Sequence, residues 1–217
     1  MHRSIGSPAC LCLVSLLTGC LGLPLFALAE EFGDVELSAY VLGSWPRDHE
    51  IYNQGTMAPA SIESGIGAGL KVALFPDALN RMVGLEIDSH GHGGGIVFPN
   101  TANGRLNGIG QSDLLILNTM FNLIVRYPGE TFSPYIGAGC GWSHAMLLGP
   151  DIAGRPDRDF DSARTFGYQA LGGLHMMIGS KLFLFGEYRY FSAAYHWQQL
   201  AVDLHPHYGL VGAGLRF

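Results

Sequence analysis

Two histidine pairs are the first residues with chemistry to offer. His90 and His92 stand in SHGHGGG, and His205 and His207 in HPH. Positions i and i+2 of an extended chain share a face, so each pair could present two imidazoles to Zn or Cu. SHGHGGG reads as a loop, with His144 and His196 at the same rim. No thiolate or obvious carboxylate completes a ligand shell, so solvated loop histidines are the simpler reading and no metal is assigned. DRDFD at 157–161 starts like a calcium loop, but Ser162 replaces the Gly of the sixth position and Tyr168 the Glu of the twelfth. It reads as an acidic solvated loop, and no cofactor site emerges.

A second constellation is electrostatic. Glu63, Lys71, Glu86, Asp88, Arg126, Glu187, Arg189 and Arg216 fall at mid-strand positions of one face, opposite a face that is almost continuously apolar. Lys71, Glu86, Arg126, Glu187, Arg189 and Arg216 form the candidate charge network. If that face is an interior, the charges must pair, because an isolated buried charge costs several kcal/mol. A paired network reads as a polar plug. The competing reading is a gated ion path.

The elements that must carry these residues are strands of period two. Eight segments alternate: roughly 34–43, 62–75, 81–90, 113–127, 132–147, 164–177, 181–192 and 207–217. In RMVGLEIDSH, Val83, Leu85 and Ile87 alternate with Gly84, Glu86 and Asp88. In KLFLFGEYRYFS, Leu182, Leu184, Tyr188 and Tyr190 alternate with Phe183, Phe185, Glu187 and Arg189. Gly65, Gly67 and Gly69, and Gly137, Gly139 and Gly141, fall at inward spacing, where small residues relieve crowding. FPDALN, YPGET and IGSK are turn-like joins. The stretches 44–61, 91–112, 148–163 and 193–206 are long and polar and read as loops. Short joins on one rim and long loops on the other are the pattern of an outer-membrane barrel. In lipid every backbone group must be paired within the protein, so the sheet closes and the first strand meets the last.

Composition agrees. Of 217 residues, 31 are Gly and only 14% are charged, against roughly 25% in a soluble domain. No mature apolar run approaches the roughly 20 residues of a membrane helix. The formal net charge of −6 speaks against nucleic acid as a partner. Residues 1–29 read as a secretory signal peptide, with Arg3, an apolar stretch and Ala27-Leu28-Ala29 before Glu30. A rival lies within it, since Leu17-Thr18-Gly19-Cys20 resembles a lipobox. Cleavage after Ala29 leaves Cys140 as the single mature cysteine, so no intramolecular disulfide holds the 30–217 domain.

SPYIGAGCGW, LFLFGEYRYFS and GLVGAGLRF, in that order, resemble phrases of the small eight-stranded outer-membrane barrels of Gram-negative bacteria, the OmpA-like and OmpW-like porin-superfamily domains. The resemblance covers the whole mature chain. It implies an all-β fold, an eight-stranded antiparallel up-and-down transmembrane β-barrel in the bacterial outer membrane; unlike in full-length OmpA, no peptidoglycan-binding domain is expected after Phe217. It also implies that the last segment resembles the signal read by the barrel-assembly machinery, with Gly212, Leu215 and Phe217 at its key positions and Leu210 where a polar residue is common. Expected partners are outer-membrane lipid and lipopolysaccharide, the assembly machinery and periplasmic chaperones. Tyr127, Tyr135, Trp142, Tyr188, Tyr190 and Phe217 are expected in interfacial girdles.

The expected role is structural or surface-interacting, with limited passage of small solutes as a further option, and it is not enzymatic. An OmpW-like carrier of small hydrophobic molecules is the first alternative. It requires a hydrophobic pocket at the outer end and a lateral exit, with Leu42, Phe183 and Phe185 facing inward. An adhesin acting through its loops is another. A lipid A-modifying enzyme is the last, since a deacylase of that type needs a His-x-Ser pair. Ser192 has no His two residues before it, and His196 four residues on need not face the same way.

Overall fold

The computed structural model describes residues 33–46, 49–53, 56–102, 105–148, 160–197 and 200–217. The 1–29 signal segment with its Cys20 alternative, and residues 157–159 of DRDFD, lie outside the described residues. Eleven strands follow in chain order: β1 (Gly33–Trp45), β2 (His49–Asn53), β3 (Thr56–Ile62), β4 (Gly65–Pro76), β5 (Val83–Ala102), β6 (Arg105–Arg126), β7 (Phe132–Leu148), β8 (Phe160–Ile178), β9 (Leu182–His196), β10 (Leu200–Leu204) and β11 (His207–Arg216).

Eight of them close a ring of antiparallel neighbours, β1-β4-β5-β6-β7-β8-β9-β11 and back to β1. The closing register runs from Glu36↔Arg216 to Trp45↔His207. It continues past β11, where Phe217 N–H donates to the Val35 carbonyl at 2.9 Å and Val35 N–H donates to the Phe217 carbonyl at 3.3 Å. Closure leaves no open edge in the ring.

The three remaining strands extend the wall at the long-loop rim. β3 joins β5 through Ile62↔Ile96, β2 bridges β3 and β10, and β10 joins β9 through Ala201↔His196. Beyond the ring, β10-β2-β3 thus occupies the arc that β11-β1-β4 fills within it. The chain changes course at Pro46, at Glu63-Ser64 and at His205-Pro206. Two of these three breaks hold a proline, which cannot donate to a ladder.

This corrects the expected loops. The stretch 91–112 is almost entirely strand, since β5 runs to Ala102 and β6 begins at Arg105. Most of 193–206 and much of 44–61 are strand as well. Above the bilayer a paired strand no longer needs an apolar outer face, so its sequence loses the alternation that reveals strands below. Glu63, expected at mid-strand, is exposed between β3 and β4.

Side chains follow the pleat. Leu85, Ile87, Phe121, Leu123, Ile136 and Val211 are exposed on the outer face, while Glu86, Asp88, Asn122, Tyr135 and Leu210 are buried inside. An exposed apolar surface of this extent marks contact with membrane. Tyr127, Trp142 and Tyr188 lie exposed on the outer wall. Tyr135 does not join them. It is buried in the lumen, and its parity with Gly137, Gly139 and Gly141 accounts for that. The glycines make room: a Cβ on Gly69 would lie 2.4 Å from the Tyr40 ring, and one on Gly139 would lie 2.0 Å from Asn122 Oδ1.

The short joins are tight. Asp77–Leu79 forms a 3-10 turn, and Asn80 and Arg81 follow with φ of 51° and 55°. Gly179 turns β8 into β9 at φ 82°, with open space where a Cβ would stand. Gly186 also has open space but no left-handed backbone. Gly179→Ala is therefore expected to lower stability by about 1–2 kcal/mol, the left-handed cost of an L side chain. Gly186→Ala should leave stability near its starting value. Urea unfolding of the two variants in lipid vesicles measures the contrast, and equal effects would contradict it.

Candidate functional site in the barrel lumen

The inward charges form two layers. The first lies at the short-turn rim, where the pleat of β1 points Asp34 and Glu36 inward. Arg126 from β6 donates to Asp34 at 2.6 Å and to Glu36 at 2.5 Å. Arg216 from β11 donates to Glu36 through Nε at 2.8 Å. Arg81 reaches over from its turn, 2.9 Å from Asp34 and 2.5 Å from Asp77. Its carbonyl accepts from Arg126 Nε at 2.8 Å, which ties the left-handed turn to the layer. The Arg126 guanidinium stacks 3.6 Å from the Phe75 ring centroid.

The second layer crosses the middle of the lumen. Lys71 donates to Glu187 at 2.6 Å and stands 3.7 Å from Glu86. Arg189 bonds Asp88 and Glu187, both at 2.6 Å, and is fully buried. Neutral donors occupy other carboxylate positions: Tyr40 donates to Asp88 at 2.6 Å, Tyr135 to Glu187 at 2.7 Å and Asn122 to Glu86 at 2.8 Å. Gln169 supports Asn122 at 2.7 Å. The Lys71 ammonium also faces the Phe185 ring, 4.4 Å from its centroid.

The six network residues named from the sequence therefore divide. Lys71, Glu86, Glu187 and Arg189 meet in the middle layer, and Arg126 and Arg216 meet at the rim. Sequence reasoning left out Asp34 and Glu36, although the period Asp34, Glu36, Ser38, Tyr40 puts both on the inward face of β1.

His90 and His92 require a correction. Both are buried in the wall of β5, facing the lumen, and not in a loop. The run of glycines after them conceals a strand, because Gly93, Gly94 and Gly95 carry no side chains to display the alternation. His90 Nδ1 is 3.1 Å from Asp88, and its Nε2 is 2.9 Å from the Asn118 amide. Asn118 continues to Ser143 and on to Tyr195, so hydrogen bonds lead from the ion layer toward the outer lumen.

His205 instead stacks against Tyr190 and His207 against Tyr188 on the outer wall, with Tyr188 Oη 2.5 Å from His207 Nδ1. Among the described residues no three His, Cys, Asp or Glu side chains group as a metal site. Ser192 is buried and His196 exposed. In the last strand Gly212 faces the lumen, where a Cβ would lie 2.7 Å from the Phe185 ring, and Leu215 faces outward.

Outward of the ion layers the lumen becomes apolar, packed by Leu42, Ile116, Phe191, Tyr195, Tyr208 and Leu210 among others. Where ring and extension meet, a cavity of ≈ 20 Å³ remains, lined by Ser44, Ile62, Glu63, His92, Leu114 and Leu204 among others. On the outside of the same wall lies an open notch of ≈ 380 Å³, bordered by Glu63, Gly93, Gly94, Gly95, Asp113, Leu114, Leu115 and Leu148 among others.

A family model described as the outer membrane protein beta-barrel domain matches residues 13–217. Two solved structures share the fold. OprG from Pseudomonas aeruginosa superposes with a TM-score of 0.58 at 18% identity, over 85% of this chain and 95% of that one. Neisserial surface protein A superposes with a TM-score of 0.50 at 15% identity, over 84% of this chain and 95% of that one. No curated protein matches the chain.

Proposed function

Because the chain belongs to the outer membrane protein β-barrel domain family, we propose that this bacterial outer-membrane protein is a sealed, non-enzymatic barrel with a structural and surface-interacting role. The observation that carries this reading is the double ion layer. Arg126 with Asp34 and Glu36 spans one level of the lumen, and Lys71 and Arg189 with Glu86, Asp88 and Glu187 span another. An eight-stranded barrel is just wide enough for side chains to fill, and the paired groups here meet at hydrogen-bond distance. Short turns face the periplasm in such barrels, so the rim layer closes the periplasmic end and the β2-β3-β10 extension stands outside the cell. Refolded protein in a planar bilayer should then give no steady unitary current. A reproducible open level would overturn the sealed-barrel reading.

A second reading has its own support. The outer lumen is apolar, and its cavity shares Glu63, Gly94 and Leu114 with the notch in the outer wall. A carrier of small hydrophobic molecules would use this pair of spaces as a chamber and a lateral exit, without any path through the ion layers.

A further inference from the structure

We propose that the outer wall of β6, β7 and β8 carries a binding site for the phosphorylated, acylated disaccharide of the outer leaflet, lipid A. Arg164 takes its phosphate, and the aromatic rings below face its sugar and the first methylenes of its chains. The site rests on the surface-interacting reading and is independent of the state of the lumen.

The charge is set by parity. Lys71, Arg126, Arg189 and Arg216 turn into the lumen, where carboxylates meet them. Arg164 follows the other parity, exposed with Phe166 and Tyr168 and opposite to buried Ala163. Among the described residues it has no ion-pair or hydrogen-bond partner. The register joins Arg164 to His144 and His144 to Leu117, so its neighbours across the ladder are an imidazole and an apolar side chain, with no anion. Asp161 lies on the opposite face of β8, paired with buried Leu147. Asp113, which shares the face of Leu117 on β6, is about 13 Å further along that strand. The cation therefore lacks a counter-charge in the wall and meets one from outside.

Height puts that charge among the headgroups. The stretch of β8 from Arg164 to Ile178, beside the short turn, covers about 46 Å of strand, or about 35 Å of height at a tilt of about 40°. The apolar band of such a barrel is about 25 Å tall, so it ends near Tyr168 and leaves Arg164 above it. Directly below Arg164 the rungs are aromatic: Trp142 pairs with Phe166, and Phe121 and Tyr168 flank Cys140. Trp142 is 63% exposed and is braced by perpendicular contacts with Phe121 and Phe166, with centroids 6.0 and 6.2 Å away. Rings held in this way offer a fixed apolar surface at the level of a lipid's sugar and upper chains. A guanidinium binds phosphate through two parallel N–H donors. A glycerophospholipid would satisfy the cation but would bring no sugar to the rings, and this difference selects the phosphorylated disaccharide.

The test uses the refolded chain in phosphatidylcholine nanodiscs, with the Trp142 indole N–H followed by NMR and assigned through Trp142→Phe. Lipid A, dephosphorylated lipid A and phosphatidic acid are added separately at rising mole fraction. The expected result is a saturable shift with lipid A and at least ten-fold weaker binding of the other two. Arg164→Gln should weaken lipid A ten-fold or more and Arg164→Lys by less, with heat-modifiable gel migration unchanged in both. Equal binding of dephosphorylated lipid A would refute the phosphate contact, and equal binding of phosphatidic acid would refute selection of the disaccharide. Binding of lipid A that survives Arg164→Gln would refute Arg164 as its anchor, and saturation by none of the three would remove the site. Each of these failures leaves the sealed barrel standing, because only a steady current in the planar bilayer overturns that reading.

Discussion

Replacing Arg189 by Met is expected to lower the unfolding free energy by about 3–5 kcal/mol, the usual cost of breaking a buried ion pair by removing one partner. The reason is local charge. The middle layer holds three carboxylates, Glu86, Asp88 and Glu187, against Lys71 and Arg189. Taking Arg189 away leaves three anions facing one ammonium, and Asp88 keeps only the Tyr40 hydroxyl and His90. Glu187→Gln works in the other direction. It loosens Lys71 and Arg189, yet Lys71 retains Glu86 at 3.7 Å and Arg189 retains Asp88 at 2.6 Å. It should therefore destabilise the barrel less than Arg189→Met. In the double variant the balance returns to two anions and one cation, and the loss should fall short of the sum of the single losses by about 1 kcal/mol or more. Denaturant titrations of the three refolded proteins decide this. Strict additivity would mean that water reaches the layer and screens it.

Much of the wall was legible in the sequence and little of its outer end was. Period two is imposed by lipid on one side and a narrow lumen on the other, so Val83-Gly84-Leu85-Glu86-Ile87-Asp88 reports its own orientation. The same constraint separates Tyr188 from Glu187 and Arg189. Tyr135 escaped because its residue type suggested an interface, although the parity it shares with Gly137 assigned it to the lumen. Asp34 and Glu36 were left out of the network although the parity they share with Ser38 and Tyr40 assigned them to the lumen. The division of the charges into two layers depends on strand stagger, which no one segment encodes. For His90 and His92 the obstacle was composition: Gly91 to Gly95 reads as a loop until the ladder to residues 113–117 is known. β2, β3 and β10 extend the long-loop rim, and although β2–β3 and β9–β10 are local hairpins, the β2–β10 and β3–β5 pairings that hold the extension together join segments distant in the chain.

Phe217→Ala is expected to reduce outer-membrane abundance in cells several-fold while changing the stability of already folded barrel by only about 1–3 kcal/mol, the burial of one apolar side chain. The two effects separate because they draw on different parts of the residue. Its backbone extends the closing register through both hydrogen bonds with Val35, and alanine keeps these bonds. Its ring is what the resemblance to the assembly signal singles out, together with Gly212 and Leu215. Leu215 is presented on the outer face, paired in register with Leu37 of β1 on one side and Leu182 of β9 on the other. Gly212 meets the lumen, where the Phe185 ring and the Ala39 carbonyl leave no room for a Cβ. Gly212 thus has no side chain to remove, and Phe217→Ala removes the terminal ring while keeping both backbone hydrogen bonds to Val35. The comparison is between heat-modifiable barrel recovered from outer membranes and urea unfolding of protein refolded in detergent. Undiminished abundance would remove Phe217 from the assembly signal. A loss of stability well above the burial of one ring, matched by the loss in cells, would assign it to barrel closure instead, with the Val35 pairing depending on the ring as well as the backbone.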